Sequence, residues 1–490
     1  ARPVRVRLLS RASALARLQT AIVECALRAV HPSLITECIT RTSAGDQDQT
    51  SPLWKLPTKG AFTADLSQAL LSGEADVVVH SYKDLPIEMP EGSSIAGALP
   101  RADARDLLLV RERVIEERPD HLRVLSSSPR RAWLLGEAVP PLLPWPVTSV
   151  EAIAVRGNIE TRVRKLIEGE AHALVIAKAA LDRMLAAGEA FAAEAATLRS
   201  YLSECRWMVL PMREFPWAPA QGALAIEIAN GRDDIRPIVD PIVCRNTTAA
   251  VDEERQILSA RGGGCHQALG AAVLAKPFGR VISVRDKDTG ESRWELRVAR
   301  PSFPRVTADR IWPDAGATVP VDRMPVSAGR PATDGWWIAR AEALPVDWTP
   351  SPDTLVWAAG TQTWRRLAAR GVWVAGCADA LGDERPEIDV LAGRSVAWTR
   401  LTHAGVCDDD AIATYAVSVD LPDDLPARSH FFWTSGELFK RAIARWPSLR
   451  GAWHASGPGR TRDAIIGELE DTTRYGVWLD RASWEKDICL

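Results

Sequence analysis

The sequence predicts an α/β protein built from several domains, and three observations carry that prediction. Strand-like and helix-like runs alternate through roughly the first 230 residues, the pattern of layered α/β folds with largely parallel sheets. The chain has 490 residues, more than a single hydrophobic core usually organises. Its last third repeats a unit of strand, glycine turn, helix and strand.

The elements follow in order. Val4–Leu9 reads as a strand and Ala14–Val30 as a helix. The first twenty residues carry Arg2, Arg5, Arg7, Arg11 and Arg17 without an acid, which also suits an organellar presequence; the βα pattern makes them mature structure instead. Thr63–Leu71 has helical apolar spacing and Asp76–His80 (DVVVH) is a short β-branched strand. Ala173–Ala177 repeats that texture ahead of a helix over Ala179–Ala187. Nine prolines between Ala299 and Pro352 exclude long helices there, and Pro345–Asp353 reads as a linker. Beyond it, Trp357–Gly360, a helix and Val372–Gly376 match Trp433–Gly436, a helix and Ala452–Gly457.

Composition narrows the function classes. Hydrophobic residues make up 46% and charged residues 25%, as in ordinary soluble domains. A net charge of -3 provides no overall attraction to nucleic acid or an anionic membrane, so neither is an expected partner. No apolar run reaches membrane-spanning length. The eight cysteines are scattered, without a CxxC pair or a zinc-spaced cluster, which predicts a reducing, cytoplasmic setting and no metal site. A monomer is expected.

Several segments carry chemistry. His80-Ser81-Tyr82-Lys83-Asp84-Leu85-Pro86 ends the DVVVH strand with an adjacent Lys and Asp. Ser127-Ser128-Pro129-Arg130-Arg131 sets two hydroxyls and two guanidiniums at a strand-to-helix junction, and Arg156-Gly157-Asn158-Ile159-Glu160-Thr161-Arg162 sets a glycine turn between two further Arg. Free backbone N–H groups and guanidinium forks at helix starts suit carboxylates. Arg11 and Lys55-Leu56-Pro57-Thr58-Lys59-Gly60 add cations. Gly262-Gly263-Gly264-Cys265-His266 places a thiol on a loop with little backbone crowding. By spacing alone each segment reads more readily as a solvated face, a surface ion pair or an ordinary loop than as a site.

Taken in sequence, HSYKDLP, SSPRR, VRGNIETRVRKLIEG, PAQGALAIE and GGGCHQALG resemble the hydroxymethylbilane synthase (porphobilinogen deaminase) family over residues 1–275, and more loosely just beyond. The resemblance implies two hinged domains like periplasmic binding proteins and a small α+β third domain. It divides the chain into 1–100 with 205–245, 101–204, and 246–345 including the proline-rich stretch. It implies a dipyrromethane cofactor attached through Cys265, a catalytic carboxylate at Asp84 beside Lys83, and cofactor contacts from Ser127, Ser128, Arg130, Arg131, Arg156 and Arg162. Arg11, Ser13 and Lys59 fall on substrate-binding positions; Lys55 and Arg183 match more loosely, and Gln19 matches as a structural residue. The implied reaction joins four porphobilinogens head to tail with loss of ammonia and releases hydroxymethylbilane. Leu56-Pro57 replaces a usual glycine pair, Leu125 a glycine, Pro129 an aliphatic residue and Ala220 the first glycine of a GQG turn.

Residues 346–490 resemble part of uroporphyrinogen-III synthase, through Leu391–Arg400, Phe432–Gly436 and Ser456–Thr461. The resemblance implies an α/β cleft with Tyr415, Thr434, Ser435 and Thr461 toward substrate, in either an active fused synthase or a non-catalytic module. A hinged anion-binding protein is the rival for the whole chain, set aside because it needs neither the glycine-loop Cys nor the Lys-Asp corner.

Overall fold

In a computed structural model of the chain, the described residues are 4–42, 63–263, 267–317, 319, 321–406 and 408–490, and their strands form five sheets. The first strand, β1 (Arg5–Arg11), buries Val6, Leu8 and Leu9, and the helix Ala14–Val30 covers it with Val23 and Leu27, while Leu18 packs into the core of the second domain. Ser13 starts that helix by accepting the Ala16 N–H at 3.3 Å. Strand β1 pairs in parallel with β2 (Ile35–Arg41) and β3 (Val77–Ser81). Strand β10 (Leu224–Ala229) then runs antiparallel between β3 and β4 (Ser93–Ala98).

The second sheet contains β5 (Asp106–Arg111), β6 (His121–Leu125), β7 (Ser149–Ile153), β8 (Ala173–Ala177) and β9 (Cys205–Val209), in the order β7-β6-β8-β5-β9. Strand β6 is parallel to β7 and β8, whereas β5 is antiparallel to β8 and β9. The expected parallel character therefore holds for only part of each sheet. The chain crosses between the two sheets twice, through residues 99–105 and 210–223, and the strand that follows each crossing, β5 or β10, enters against its neighbours. One boundary also shifts: residues 205–209 belong to the second sheet, and the first domain resumes only at β10.

The third sheet is an antiparallel meander of β11 (Leu269–Lys276), β12 (Gly279–Asp286) and β13 (Ser292–Arg297). The helix Arg245–Ser259 packs Ala250 on its Leu269, Val273 and Ile282 face.

The rest of the described chain forms two lobes. One is six-stranded, ordered β15 (Asp322–Pro325), β20 (Ala411–Ser418), β19 (Trp398–His403), β16 (Gly335–Ile338), β17 (Leu355–Ala358) and β18 (Gly376–Cys377). The other is parallel throughout: β14 (Ile311–Trp312), β21 (His430–Trp433), β22 (Trp453–Ser456) and β23 (Tyr475–Val477). The sequence repeat appears as β17–helix Thr361–Ala369–β18 in one lobe and β21–helix Gly436–Arg445–β22 in the other. The proline-rich stretch is not an extension of the third domain, because β14, β15 and β16 are strands of the C-terminal sheets. Nor is Pro345–Asp353 an interdomain linker: it joins the paired strands β16 and β17. Proline blocks long helices yet tolerates short strands, which is why local texture misplaced this boundary.

The six-stranded lobe is fused to the second domain. The Val209 N–H donates to the Ala375 carbonyl at 2.8 Å beside β18, so the edges of two sheets meet. One hydrophobic cluster contains Leu108, Leu134 and Trp145 together with Trp336, Ile338 and Trp364. Among the described residues no helix is long and apolar enough to cross a membrane.

Candidate active site

The Lys-Asp corner is held from below by a buried polar contact. His80, near the end of β3, lies 2.7 Å from Glu227 of β10, whose carboxylate also accepts Ser93 Oγ at 2.6 Å and Ser67 Oγ at 3.1 Å. The strand then gives way to a 3-10 turn, Tyr82–Asp84, that leaves Tyr82 buried, Lys83 half-buried and Asp84 exposed. Lys83 Nζ donates to Gln221 Oε1 at 3.3 Å.

Gln221 lies on the second crossing and is 1% exposed. Its amide donates to the Ala104 carbonyl at 2.8 Å and to Asp106 Oδ1 at 3.0 Å, and its oxygen also accepts Arg131 Nη2 at 3.3 Å. Asp106 pairs with Arg131 at 2.7 Å and with Arg130 at 2.8 Å. Burial alone would raise the Asp106 carboxyl, but Arg130 and Arg131 hold it down at about 2. Gln221 and Asp106 thus join the Lys-Asp turn of the first domain to the Arg pair of the second.

The second domain's cations sit at helix starts, as the sequence predicts. Ser128 caps the helix Pro129–Ala138 by accepting the Arg131 N–H at 3.3 Å, with Pro129 in the first turn where its missing N–H costs nothing. Ser127 Oγ accepts the Val155 N–H at 2.9 Å, tying this junction to the segment that carries Arg156. Gly157 has φ +110°, and a Cβ there would stand 2.7 Å from Thr161 Cγ2, so glycine is required for this turn. Asn158 caps the helix Ile159–Ile167, and Arg162 Nε donates to the Gly157 carbonyl at 2.8 Å. Burial, then Arg131, brings Lys83 down to about 8; burial, then Arg131 and Arg156, brings Arg162 down to about 10. Asp84 opposes both shifts, which puts the carboxylate and the cations within electrostatic reach of one another. Among the described residues, neither Lys83 nor Arg162 has a carboxylate at ion-pair distance. Mutually repelling cations outnumber their acids here, an arrangement suited to an anion with several carboxylates.

Other expected residues take different places. The Ser13, Ser127 and Ser128 hydroxyls bond the backbone at element ends. Gln19 accepts Ser81 Oγ at 3.0 Å, a structural contact. Arg11 ends β1. Arg183 donates to the Gly222 carbonyl at 2.7 Å, clasping the helix Lys178–Leu185 to the crossing, and burial lowers it to about 10. Lys55, Lys59 and Cys265 lie outside the described residues. The glycine loop is described as far as Gly263, where a Cβ would stand 2.9 Å from Ile87 Cγ1, three residues beyond Asp84. Arg255, from the helix before that loop, donates to the Pro86 carbonyl at 2.5 Å and lies 5.1 Å over the Tyr82 ring. The start of the thiol-bearing loop is therefore seated on the Lys-Asp segment.

In the C-terminal lobes, Tyr415 is buried on β20 and stacks on His403 at 6.0 Å. Thr434 and Ser435 follow β21, and Ser435 caps the helix Gly436–Arg445. A Cβ on Gly436 would lie 3.7 Å from Thr461 Cα, so Ser435 and Thr461 share one edge of the four-stranded lobe, whereas Tyr415 belongs to the other lobe. Arg460 reaches across the lobes to Asp383 and Asp408.

Sequence reasoning missed Asp106, Gln221 and His403. An acid opening the apolar run Asp106–Val110 was the available signal for the first, and the motif PAQGALAIE contained Gln221 without assigning it a role; His403 had no signal beyond its neighbours.

The family model "Porphobilinogen deaminase, dipyromethane cofactor binding domain" matches residues 6–237. A porphobilinogen deaminase of Neisseria meningitidis is 36% identical over 270 residues, covering 55% of this chain and 79% of the relative. The chain belongs to the porphobilinogen deaminase family. A relative from Paraburkholderia phymatum is also 36% identical, with 55% and 75% covered, and a probable porphobilinogen deaminase of Hyperthermus butylicus is 32% identical over 60% of this chain and 97% of its own. A probable amino-acid ABC transporter extracellular-binding protein of Bacillus subtilis overlaps 53% of this chain and 97% of its own at 10% identity and a TM-score of 0.28. The family domain binds dipyrromethane, and the excess of cations around Lys83, Arg131 and Arg162 fits a cofactor with carboxylate arms. Among the described residues no group of three His, Cys, Asp or Glu is placed to hold a metal.

Proposed function

We propose that the chain is a hydroxymethylbilane synthase in which Asp84 is the catalytic carboxylate, Cys265 the attachment point of dipyrromethane, and Lys83, Arg130, Arg131, Arg156 and Arg162 the binders of the cofactor's carboxylate arms. Arg11, Ser13, Lys55, Lys59 and Arg183 complete the substrate side. The supporting observation is the junction at Gln221 and Asp106, which places an acid-bearing turn and a surplus of cations on facing domains. The bound dipyrromethane supplies the primer to which substrate pyrroles are joined. Asp84 lies at the exposed lip of the turn, free to accept pyrrole N–H groups and stabilise positive charge as ammonia leaves. At ~4 Å and an effective dielectric of ~20, this contact contributes at most about 4 kcal/mol, roughly a thousandfold in rate. The cations hold the dicarboxylate units in register, and each further unit adds charge that one fork could not neutralise.

Intact-mass measurement separates the roles. Asp84→Asn is expected to keep the dipyrromethane adduct and lose turnover by a hundredfold or more in a colorimetric pyrrole assay; Cys265→Ser is expected to lose the adduct. Equal offsets from the sequence masses of the native and Cys265→Ser chains would exclude the attachment, and near-native turnover in Asp84→Asn would exclude the carboxylate.

A second reading concerns the C-terminal lobes, which we propose act as a uroporphyrinogen-III synthase that cyclises hydroxymethylbilane. It is supported by two lobes of mainly parallel strands, with Ser435 and Thr461 sharing an edge where strands end. Feeding hydroxymethylbilane to the purified chain should yield mainly the type III isomer; the type I isomer alone would leave a non-catalytic module.

A further inference from the structure

A cavity of about 780 Å³ opens between the third domain and the four-stranded lobe, with Asn246 and Ala249 of the helix Arg245–Ser259 on its wall. Its wall comes from the β11–β12 turn, the segment after β13, the helix Arg460–Glu468 and β23. Five cations line it, namely Lys276, Arg280, Arg297, Arg300 and Arg462, and among the described residues no Asp or Glu lies on its wall. Four of them already hold carboxylates: Glu253 bridges Arg280 and Arg297, Glu384 holds Lys276, and Asp463 holds Arg462.

Arg300 differs from the rest. It lies 4.6 Å over the Trp478 ring and donates to the Val477 carbonyl at 2.8 Å and the Leu296 carbonyl at 3.4 Å, and among the described residues it has no carboxylate at ion-pair distance. A half-buried guanidinium fixed by a ring and two carbonyls, yet without an anion, is prepared to receive one. Between the cations the wall is apolar, with Phe278, Val298, Ile466 and Val477. That alternation suits a ligand whose ring faces carry several carboxylates, and it is poorly matched to a compact phosphate.

We infer that this cavity binds an organic polycarboxylate of the kind the deaminase site assembles, at the seam between the deaminase domains and the C-terminal lobes. The identity of the ligand rests on the proposed synthase activity; the site itself rests on the cavity wall alone. The probe is mellitate, an aromatic hexacarboxylate, titrated into the cofactor-loaded full chain by calorimetry, with tripolyphosphate as the compact anion. Mellitate is expected to bind at least tenfold tighter than tripolyphosphate. Arg300→Gln and Arg462→Gln are each expected to weaken mellitate at least fivefold, with porphobilinogen turnover within twofold of native and Arg300→Lys recovering part of the loss. Unchanged mellitate affinity in both Gln variants would overturn the site, and equal affinity for tripolyphosphate would overturn the polycarboxylate assignment. Because the isomer formed from hydroxymethylbilane is read in the same samples, loss of the synthase reading is distinguishable from loss of this one.

Discussion

At the scale of single residues, Lys83 shows how burial turns an ordinary ammonium into a responsive one. Its pKa of about 8, down from the ordinary 10.5, reflects burial first and the Arg131 charge second. The unfolded chain therefore holds this proton more tightly than the folded one. Lys83 weakens the fold fully below pH 8, and the penalty fades as pH rises from 8 toward 10.5. A bound carboxylate reverses the effect of burial and pulls the proton back. At pH 8, binding of an unreactive pyrrole dicarboxylate to the Cys265→Ser chain, which would carry no dipyrromethane, should accordingly take up about half a proton, measured by calorimetry in buffers of different ionisation enthalpy. Lys83→Gln in that chain should take up none, and equal uptake in the two proteins would place the titration elsewhere. The ionic groups of this site were legible only through the ordered set of motifs, because by spacing alone pairs such as Lys83-Asp84 and Arg130-Arg131 read as surface ion pairs or solvated faces. Asp106 and Gln221 were not, because their meaning comes from a contact between domains: a glutamine bridging Lys83 and Arg131 leaves no local pattern.

At the scale of elements, local rules succeeded where local forces decide. The helix Ala14–Val30 and the strand Ala173–Ala177 stand where apolar spacing put them. They failed at β14 and β18, two-residue strands too short to hold a period, and in the sense of β5 and β10, which the two crossings impose. The second crossing also explains the turn Ala220-Gln221-Gly222. Ala220 occupies φ +66° where a glycine was expected, and its backbone N–H is held by Glu254 at 2.7 Å, which offsets the strain of a left-handed alanine. Gly222 has no such latitude, since its φ is +81° and a Cβ would stand 2.9 Å from the Ala102 carbonyl oxygen on the first crossing. Gly222→Ala would push the two crossings apart beside Gln221. The expected loss is about 2 kcal/mol or more in denaturant unfolding, with a higher KM because the Lys83–Gln221–Arg131 bridge is displaced. Native stability in this variant would mean that the crossings separate freely.

At the scale of the whole molecule, the C-terminal lobes are not an appendage on a flexible tether. Trp364 is fully buried, belongs to the core shared with the second domain, and donates its indole N–H to the Leu142 carbonyl at 3.0 Å. Trp373 reaches the Trp207 carbonyl at 3.2 Å, and Arg199 donates to the Val390 and Leu391 carbonyls at 2.7 and 2.8 Å. Such a joint was invisible in the sequence, because edges that meet across 166 residues share no periodicity and a tryptophan reads alike whichever core it fills. The joint also reaches the crossings, where Arg105 pairs with Asp103, donates to the Cys377 carbonyl at 3.0 Å and lies 5.5 Å over the Trp357 ring. Stability of the second domain must therefore depend on a residue of the C-terminal lobe. Trp364→Ala should cost about 3–5 kcal/mol, and the loss should appear in both partners of the shared core. In native-state hydrogen exchange, amides of β5, β8 and β9 are expected to lose protection together with those of β16 and β17, in one cooperative unit. Protection lost in β16 and β17 alone, with β5 and β8 unchanged, would show two independent cores that merely touch.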